Sequence, residues 1–318
     1  QLAEDGYFTD FISNGVSTEL CFMAFCAFTL IIIFAGVQNG IERVSKIMMP
    51  ILIVLSVIIA VYSVTRPGAL AGVKYFLVPN VKNFSWMTVV SAMGQMFYSL
   101  SIAMGILITF GSYMKKDTAI EDSTRNVEVF DTGIAIMAGL MIIPAVFAFS
   151  GGDPNTLQAG PSLMFITIPK VFQNMGFGTV IGIVFFLLVL FAAVTSSIAL
   201  TESAVSTFED ELGWGRKKAT VLVGVIMLAL GSLSSLGYGP LAGIKIIGMQ
   251  FLDLFDFLTN SVMMPIAALL TSLLVSRVVG IDKIEDEIIH GESAFRRKKV
   301  FVVMIKYLCP VFAIIILL

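Results

Sequence analysis

The chain has 318 residues, of which 57% are hydrophobic and 13% charged, and its mean hydropathy is +0.94. An average soluble domain carries about 25% charged residues, so this composition excludes an ordinary water-soluble enzyme and a disordered chain. The net charge of −2 offers no basic surface to nucleic acid, and the single histidine, His290, leaves no histidine-based metal site or catalytic triad. We therefore expect a membrane protein that is not an enzyme and has no nucleic-acid partner.

Apolar stretches of about 20 residues, the length that a helix needs to cross a bilayer, occur eight times along the chain. Runs such as Leu30–Phe34 lack the alternation of membrane-barrel strands and favour helix. The predicted spans are residues 21–37, 47–64, 88–113, 128–150, 179–206, 219–236, 246–276 and 300–318. The sequence thus predicts an all-α, polytopic membrane helical bundle in which residues 1–318 form a single transmembrane domain and residues 278–299 a cytoplasmic loop within it.

Lysine and arginine in the loops give the orientation of the spans. With the N-terminus outside, the inner loops carry fourteen of these residues and the outer loops five, as the positive-inside rule requires. We expect a multi-pass protein of the cell membrane, in the bacterial inner membrane, with the lipid bilayer as its surroundings. The chain opens on Gln1 without an initiator methionine or signal peptide, so we expect it to continue N-terminally.

Small and hydroxylated residues cluster in the middle of the third span, within Gln95–Gly105. A discontinuous membrane helix frees N–H and C=O groups at the midplane, where they bind the charged ends of an amino acid and a coupled ion. Close helix packing through small residues, with the serines bonding to their own helix, is the alternative. Composition by itself leaves both interpretations open.

Three residues of the fifth span, Ala192, Thr195 and Ser196, share one helical face because positions i, i+3 and i+4 are neighbours. A backbone carbonyl and two hydroxyls suit a hard monovalent cation, which prefers oxygen ligands. Hydrogen bonding between helices is the ordinary alternative for the two hydroxyls. Spacing alone does not choose between a cation site and an interhelical contact.

Four acids lie within the predicted spans: Asp131, Glu202, Asp253 and Asp256. Carboxylates at membrane depth are costly and are therefore functional candidates. The alternative is that some of these acids lie near the membrane interface, where a charge costs little. Asp253 and Asp256 are three residues apart, which by residue type allows an intramembrane aspartyl pair. Such pairs usually join acids from different elements, so we hold this enzymatic alternative as the weaker one.

Motifs spread in order along nearly the whole chain match a known family. They are Gly40–Arg43 through Pro50, Gly94–Gly105, Ser112–Asp117, Phe165–Pro169, Thr195–Ala199, Phe208–Leu212 and the Asp253/Asp256 pair. On these residues the chain resembles the neurotransmitter:sodium symporters, particularly the bacterial amino-acid:sodium members. The resemblance implies an inverted-repeat (LeuT-type) transporter fold, present in part, with the eight spans corresponding to family helices four to eleven.

The resemblance also implies a substrate site where the third span unwinds, at Tyr98–Met104. The backbone carbonyls of Tyr98 and Ser99, with Ser101, would bind the ammonium group of an amino acid. The side chains implied to shape the pocket are Tyr98, Ala103, Met104, Ser196 and Leu200. These are small or uncharged, which implies a neutral, hydrophobic amino acid. Ala103 stands where the family usually has glycine, and its methyl group narrows the pocket and makes non-helical dihedral angles costlier.

Two sodium sites and two gates follow from the same resemblance. The first sodium site would take Ser99 and Asp131, and the second would take the Ala192 carbonyl with the hydroxyls of Thr195 and Ser196. The implied gate acids are Asp256 on the outer half and Asp210 at the cytoplasmic end.

The implied function is sodium-coupled symport of a neutral, hydrophobic L-amino acid by alternating access. A carboxylate at Asp131 supplies the negative charge that chloride-dependent relatives take from a bound anion, so we expect transport without chloride. We expect the family's first three helices to be missing from this chain and to be needed for a complete site. The alternatives are a non-transporting membrane amino-acid sensor or binding protein, and an inactive truncated fragment.

Overall fold

A computed structural model describes residues 6–153, 160–174 and 176–317. The ends of the predicted domain, residues 1–5 and Leu318, and therefore the last residue of the predicted final span, lie outside the described residues. Within the described ranges the regular structure is helical, and an isolated two-residue bridge joins Ile246 and Met249. The all-α prediction is confirmed.

The helices are numbered in chain order. They are α1 Tyr7–Ser13, α2 Gly15–Phe34, α3 Val37–Val64, α4 Ala69–Leu77, α5 Trp86–Ser99, α6 Ile106–Ser112, α7 Ile120–Ser150, α8 Leu163–Gln173, α9 Gly178–Leu212, α10 Arg216–Leu236, α11 Phe251–Val279, α12 Ile281–Gly291 and α13 Lys298–Leu317. Among the described residues seven of them, α2, α3, α7, α9, α10, α11 and α13, are long and apolar enough to cross a membrane. They correspond to seven of the eight predicted spans.

The remaining predicted span, the third in chain order at residues 88–113, consists of two helices separated by a break. Helix α5 begins at a capping box, because the Ser85 side chain accepts a hydrogen bond from the Thr88 N–H and the Thr88 side chain accepts one from the Ser85 N–H. It ends at Ser99, and α6 starts at Ile106. The predicted span is therefore one discontinuous membrane helix.

Several helices extend further than the sequence predicted. Helix α2 begins at Gly15 rather than residue 21, and α7 begins at Ile120 rather than residue 128. The added turns are polar. A span predicted from hydropathy stops at the first charged residues, whereas the backbone continues as helix beyond them. Asn14, for example, caps α2 by accepting a hydrogen bond from the Ser17 N–H. Glu19 consequently joins the acids that lie within spanning helices.

Two apolar clusters hold the bundle together, and α9 contributes to both. The first packs α3, α7, α8 and α9 around residues such as Ile59, Ala145 and Phe185. The second packs α2, α3, α9 and α10 around Ile33 and Ile198. A smaller cluster joins α5, α11 and α13. Helix α9 therefore packs against helices of both clusters.

The predicted cytoplasmic loop contains helix α12 and contacts the start of α7 through a hydrogen bond and an ion pair. The Glu292 carboxylate accepts a hydrogen bond from the Glu121 N–H at 2.6 Å, where the free amides of a helix N-terminus favour an anion. Arg297 pairs with Glu128 at 2.9 Å, and this hydrogen bond raises the pKa of the Arg297 guanidinium. The loop therefore contacts the N-terminal end of the helix that carries Asp131.

Candidate sodium and substrate site

The break between α5 and α6 is formed by residues 100–105. Ser101, Ala103 and Gly105 have φ angles of +53°, +63° and +78°, which are left-handed backbone conformations that end a helix. The break begins two residues later and ends one residue later than the predicted segment Tyr98–Met104, because Tyr98 and Ser99 still belong to the last turn of α5 and Gly105 belongs to the break. The Tyr98 carbonyl accepts from the Ser101 N–H at 3.1 Å and retains its second lone pair.

The backbone of Ala103 is strained, because this residue has a side chain and a positive φ angle. A non-glycine residue in the left-handed region costs about 1–2 kcal/mol, and such strain persists where surrounding structure enforces it. The sequence predicted that a methyl group here would make non-helical dihedral angles costlier, and Ala103 does adopt such a conformation, with a φ of +63°.

Ser99 and Asp131, the residues predicted for the first sodium site, are in direct contact. The Ser99 hydroxyl donates to Asp131 Oδ1 at 2.7 Å, which joins the last turn of α5 to the middle of α7. Hydroxyl and carboxylate oxygens are ligands that hard cations prefer. The donor set fits a sodium ion, and the Asp131 carboxylate would supply a negative charge that compensates the charge of the ion.

The three residues predicted for the second sodium site lie on α9. The Thr195 hydroxyl donates to the Ala192 carbonyl and to the Phe191 carbonyl, each at 3.0 Å. Two of the three predicted oxygen ligands are therefore adjacent, and Ser196 follows on an exposed part of the same helix. The chemistry of this face again fits a hard monovalent cation.

The predicted pocket side chains are distributed over two surfaces. Tyr98 and Leu200 are 55% and 50% exposed. Tyr98 lines a cavity of about 220 Å³ between α5, α11 and α13, whose other lining residues include Phe97, Asn260 and Met264. The described contacts bring the break to α9 at Met104, whose carbonyl accepts a weak hydrogen bond from Ser203 at 3.4 Å.

A buried group of three hydroxyls joins α6 to α9 just below the break. Thr109 lies 3.1 Å from the Ser206 hydroxyl and 3.5 Å from that of Ser203. Gly105 makes this approach possible, because a Cβ there would lie 2.6 Å from Ser203 Oγ. No pattern in the sequence connects these residues, which are about 95 positions apart.

The predicted outer gate acid Asp256 is exposed and accepts a hydrogen bond from Asn260 at 2.6 Å. Its neighbour Asp253 accepts one from Tyr238 at 3.0 Å. Burial and this hydrogen bond raise the pKa of Tyr238 to about 12. The two acids thus have separate partners rather than forming the aspartyl pair of the enzymatic alternative.

At the end predicted to be cytoplasmic, Asp210 is exposed, whereas Glu202 lies at the centre of a charged network that the sequence did not reveal. The Glu202 side chain is fully buried and receives both Arg216 Nη1 at 3.0 Å and Nη2 at 2.6 Å. The Tyr113 hydroxyl donates to the same carboxylate at 2.6 Å. This network ties α6, α9 and α10 together where an inner gate is predicted. The sequence did contain a signal for this ion pair. An acid within a predicted span is followed by the basic run Arg216–Lys218, and a buried charge needs an opposite charge.

The chain is similar to known proteins in sequence and in fold. A sequence model of the sodium:neurotransmitter symporter family matches residues 10–318. An uncharacterised sodium-dependent transporter of Bacillus subtilis, YhdH, is 36% identical over 287 residues, covering 90% of this chain and 63% of its own length. Uncharacterised sodium-dependent transporters of Methanocaldococcus jannaschii and Haemophilus influenzae are 30% and 32% identical, and in each case the match covers 81% of this chain.

The chain spans only part of these relatives, 63%, 52% and 56% of their respective lengths. Among solved structures, that of MhsT in complex with L-phenylalanine is similar with a TM-score of 0.84 and 33% identity, over 98% of this chain and 70% of the other. The likeness confirms the LeuT-type transporter fold. The protein is a multi-pass membrane protein, and its family consists of sodium-coupled transporters rather than enzymes. The family match over residues 10–318, together with the similarity of fold, shows that this chain belongs to the sodium:neurotransmitter symporter family.

Proposed function

We propose that this chain provides the major part of a sodium-coupled symporter for a neutral, hydrophobic L-amino acid, which works by alternating access and without chloride. The observation that carries the proposal is the Ser99–Asp131 hydrogen bond beside the helix break at residues 100–105. The Asp131 carboxylate thus contacts the last turn before a break in a membrane helix, and breaks of this kind bind the charged ends of amino acids and coupled ions.

The substrate class follows from the side chains around the break. Ala103 and Met104 are apolar, and Ser101 offers a hydroxyl without charge. A charged substrate side chain would find no opposite charge among the residues proposed for the pocket. The similar MhsT structure contains L-phenylalanine, so a large apolar amino acid is the first candidate.

Sodium and substrate are coupled in this proposal through the two oxygen-lined positions on α5–α7 and on α9. Each must raise the affinity for the other, because coupling free energy is reciprocal. The remaining sodium ligands, and the groups for the substrate carboxylate, would come from helices outside this chain.

The test is uptake of labelled L-phenylalanine and L-leucine into liposomes that contain the full gene product, with an inward sodium gradient and with potassium in its place. We expect sodium-dependent uptake that Thr195→Val strongly weakens. Thr65→Val is the matched control, because the Thr65 hydroxyl also donates to the i−4 and i−3 carbonyls of its own helix and Thr65 belongs to none of the proposed sites. Equal loss in both variants, or uptake that is indifferent to sodium, would contradict the proposal.

Counterflow separates transport from the sensor alternative. A symporter preloaded with unlabelled substrate exchanges it for labelled substrate from outside, whereas a sensor binds substrate without moving it. Sodium-dependent binding without counterflow would assign the chain to the sensor alternative. The absence of both would favour the inactive-fragment alternative.

A further inference from the structure

A pair of hydroxyl groups links α2 to α9 inside the second apolar cluster. Thr29 Oγ1 lies 3.0 Å from Ser197 Oγ, and it also donates to the Phe25 carbonyl of its own helix at 3.1 Å. Thr29 is fully buried, with 0% exposure. Neither residue belongs to the site described above.

The surroundings of the pair are apolar. Ile33 from α2 and Val194 and Ile198 from α9 are all buried in the same cluster. Apolar packing is non-directional and tolerates small rotations of one helix against another. A hydrogen bond between side chains weakens steeply with distance and angle. The Thr29–Ser197 pair is therefore a directional constraint in a contact that is otherwise free to adjust.

Ser197 directly follows Ser196, and the two residues lie on different sides of α9. Each residue turns an α-helix by about 100°, so the Ala192, Thr195 and Ser196 face is fixed relative to the Ser197 side. A rotation of α9 by about 20° would move oxygen atoms about 5 Å from the axis by nearly 2 Å. Functional ligands must be held within about 0.5 Å of their productive geometry.

The other directional contacts of α9 lie further along it. The Thr201–Met227, Glu202–Arg216 and Ser203–Met104 contacts are five, six and seven residues beyond Ser196 in sequence, toward the end of α9. We propose that Thr29 and Ser197 are positioning residues for the sodium site on α9, setting the rotation of that helix so that the Thr195 and Ser196 hydroxyls face the ion. This inference rests on the proposed function and adds two residues that never touch the ion.

The experiment measures the sodium concentration that half-saturates L-phenylalanine binding to the purified full gene product, together with thermal stabilisation by sodium alone. We expect Thr29→Val and Ser197→Ala each to raise the half-saturating sodium concentration about three- to tenfold, the range that follows from one hydrogen bond between membrane helices. Thr29→Ser keeps the hydroxyl and should stay within about twofold of the wild type. The double variant should be no worse than either single variant, because the two changes remove one bond.

Ser56→Ala is the matched control, since Ser56 is equally buried and its hydroxyl bonds only to the Leu52 carbonyl of its own helix. It should leave the sodium dependence unchanged. If Thr29→Val and Ser197→Ala bind sodium as the wild type does while only their melting temperatures fall, the pair is ordinary packing and the inference is wrong. If the wild type itself shows no response to sodium in either measurement, the proposed function fails and the inference fails with it, which is a different and recognisable result.

Discussion

Replacing Arg216 with methionine tests the charged network at the cytoplasmic end. The change removes both guanidinium hydrogen bonds from Glu202 and leaves this fully buried carboxylate with the Tyr113 hydroxyl. Removing one partner of a buried ion pair costs about 3–5 kcal/mol, because the remaining charge is neither paired nor hydrated. Unfolding entropy scales with chain length at about 2.1 cal/mol/K per residue, so this loss corresponds to a melting temperature lower by about 4–8 °C.

The assay is thermal unfolding of the purified protein in detergent, with Lys46→Met as control. Lys46 pairs with Glu42 at 2.6 Å, but their side chains are 74% and 49% exposed, and an exposed pair contributes about 0–1 kcal/mol. The double variant Arg216→Met/Glu202→Met removes both charges and should recover most of the lost stability. The reasoning is refuted if Arg216→Met unfolds at the same temperature as Lys46→Met, or if the double variant is as unstable as the two single losses added together.

Three further predictions concern the helix break and its neighbour. Asp131→Ser should make substrate uptake depend on external chloride, because the fixed negative charge is lost; uptake that stays independent of chloride would reject the role given to Asp131. Ala103→Gly should raise the stability in thermal unfolding by about 1 kcal/mol, since glycine adopts the left-handed backbone without strain, and it should improve relative uptake of bulky aromatic substrates. Gly105→Ala should reduce stability by more than about 1 kcal/mol because of its φ of +78° and the 2.6 Å approach to a serine oxygen, whereas Gly111→Ala, which meets open space, should be neutral or slightly stabilising.

The sequence by itself determined the class of the protein and most of its local structure. Composition required a membrane, and apolar stretches located the spans because a helix must satisfy its own backbone in lipid. The composition of Gln95–Gly105 left a helix break and close helix packing both open, and the resemblance to a family predicted the break. Spacing placed Ala192 beside Thr195 on one face. Resemblance to a family, rather than any pattern of residues, supplied the roles proposed for these positions.

The tertiary structure decided which distant residues meet. Ser99 and Asp131 are 32 positions apart, Tyr113 and Glu202 are 89 apart, and the pair between α2 and Ser197 spans 168 positions. Hydropathy reports that a helix is buried in lipid, but it does not report the rotation or the neighbours of that helix. Helix α2 also begins before the predicted span, since a capped polar turn remains helical outside the apolar stretch. Local periodicity is a property of one helix, whereas a hydrogen bond between helices depends on the packing of two, and only the folded bundle fixes that packing.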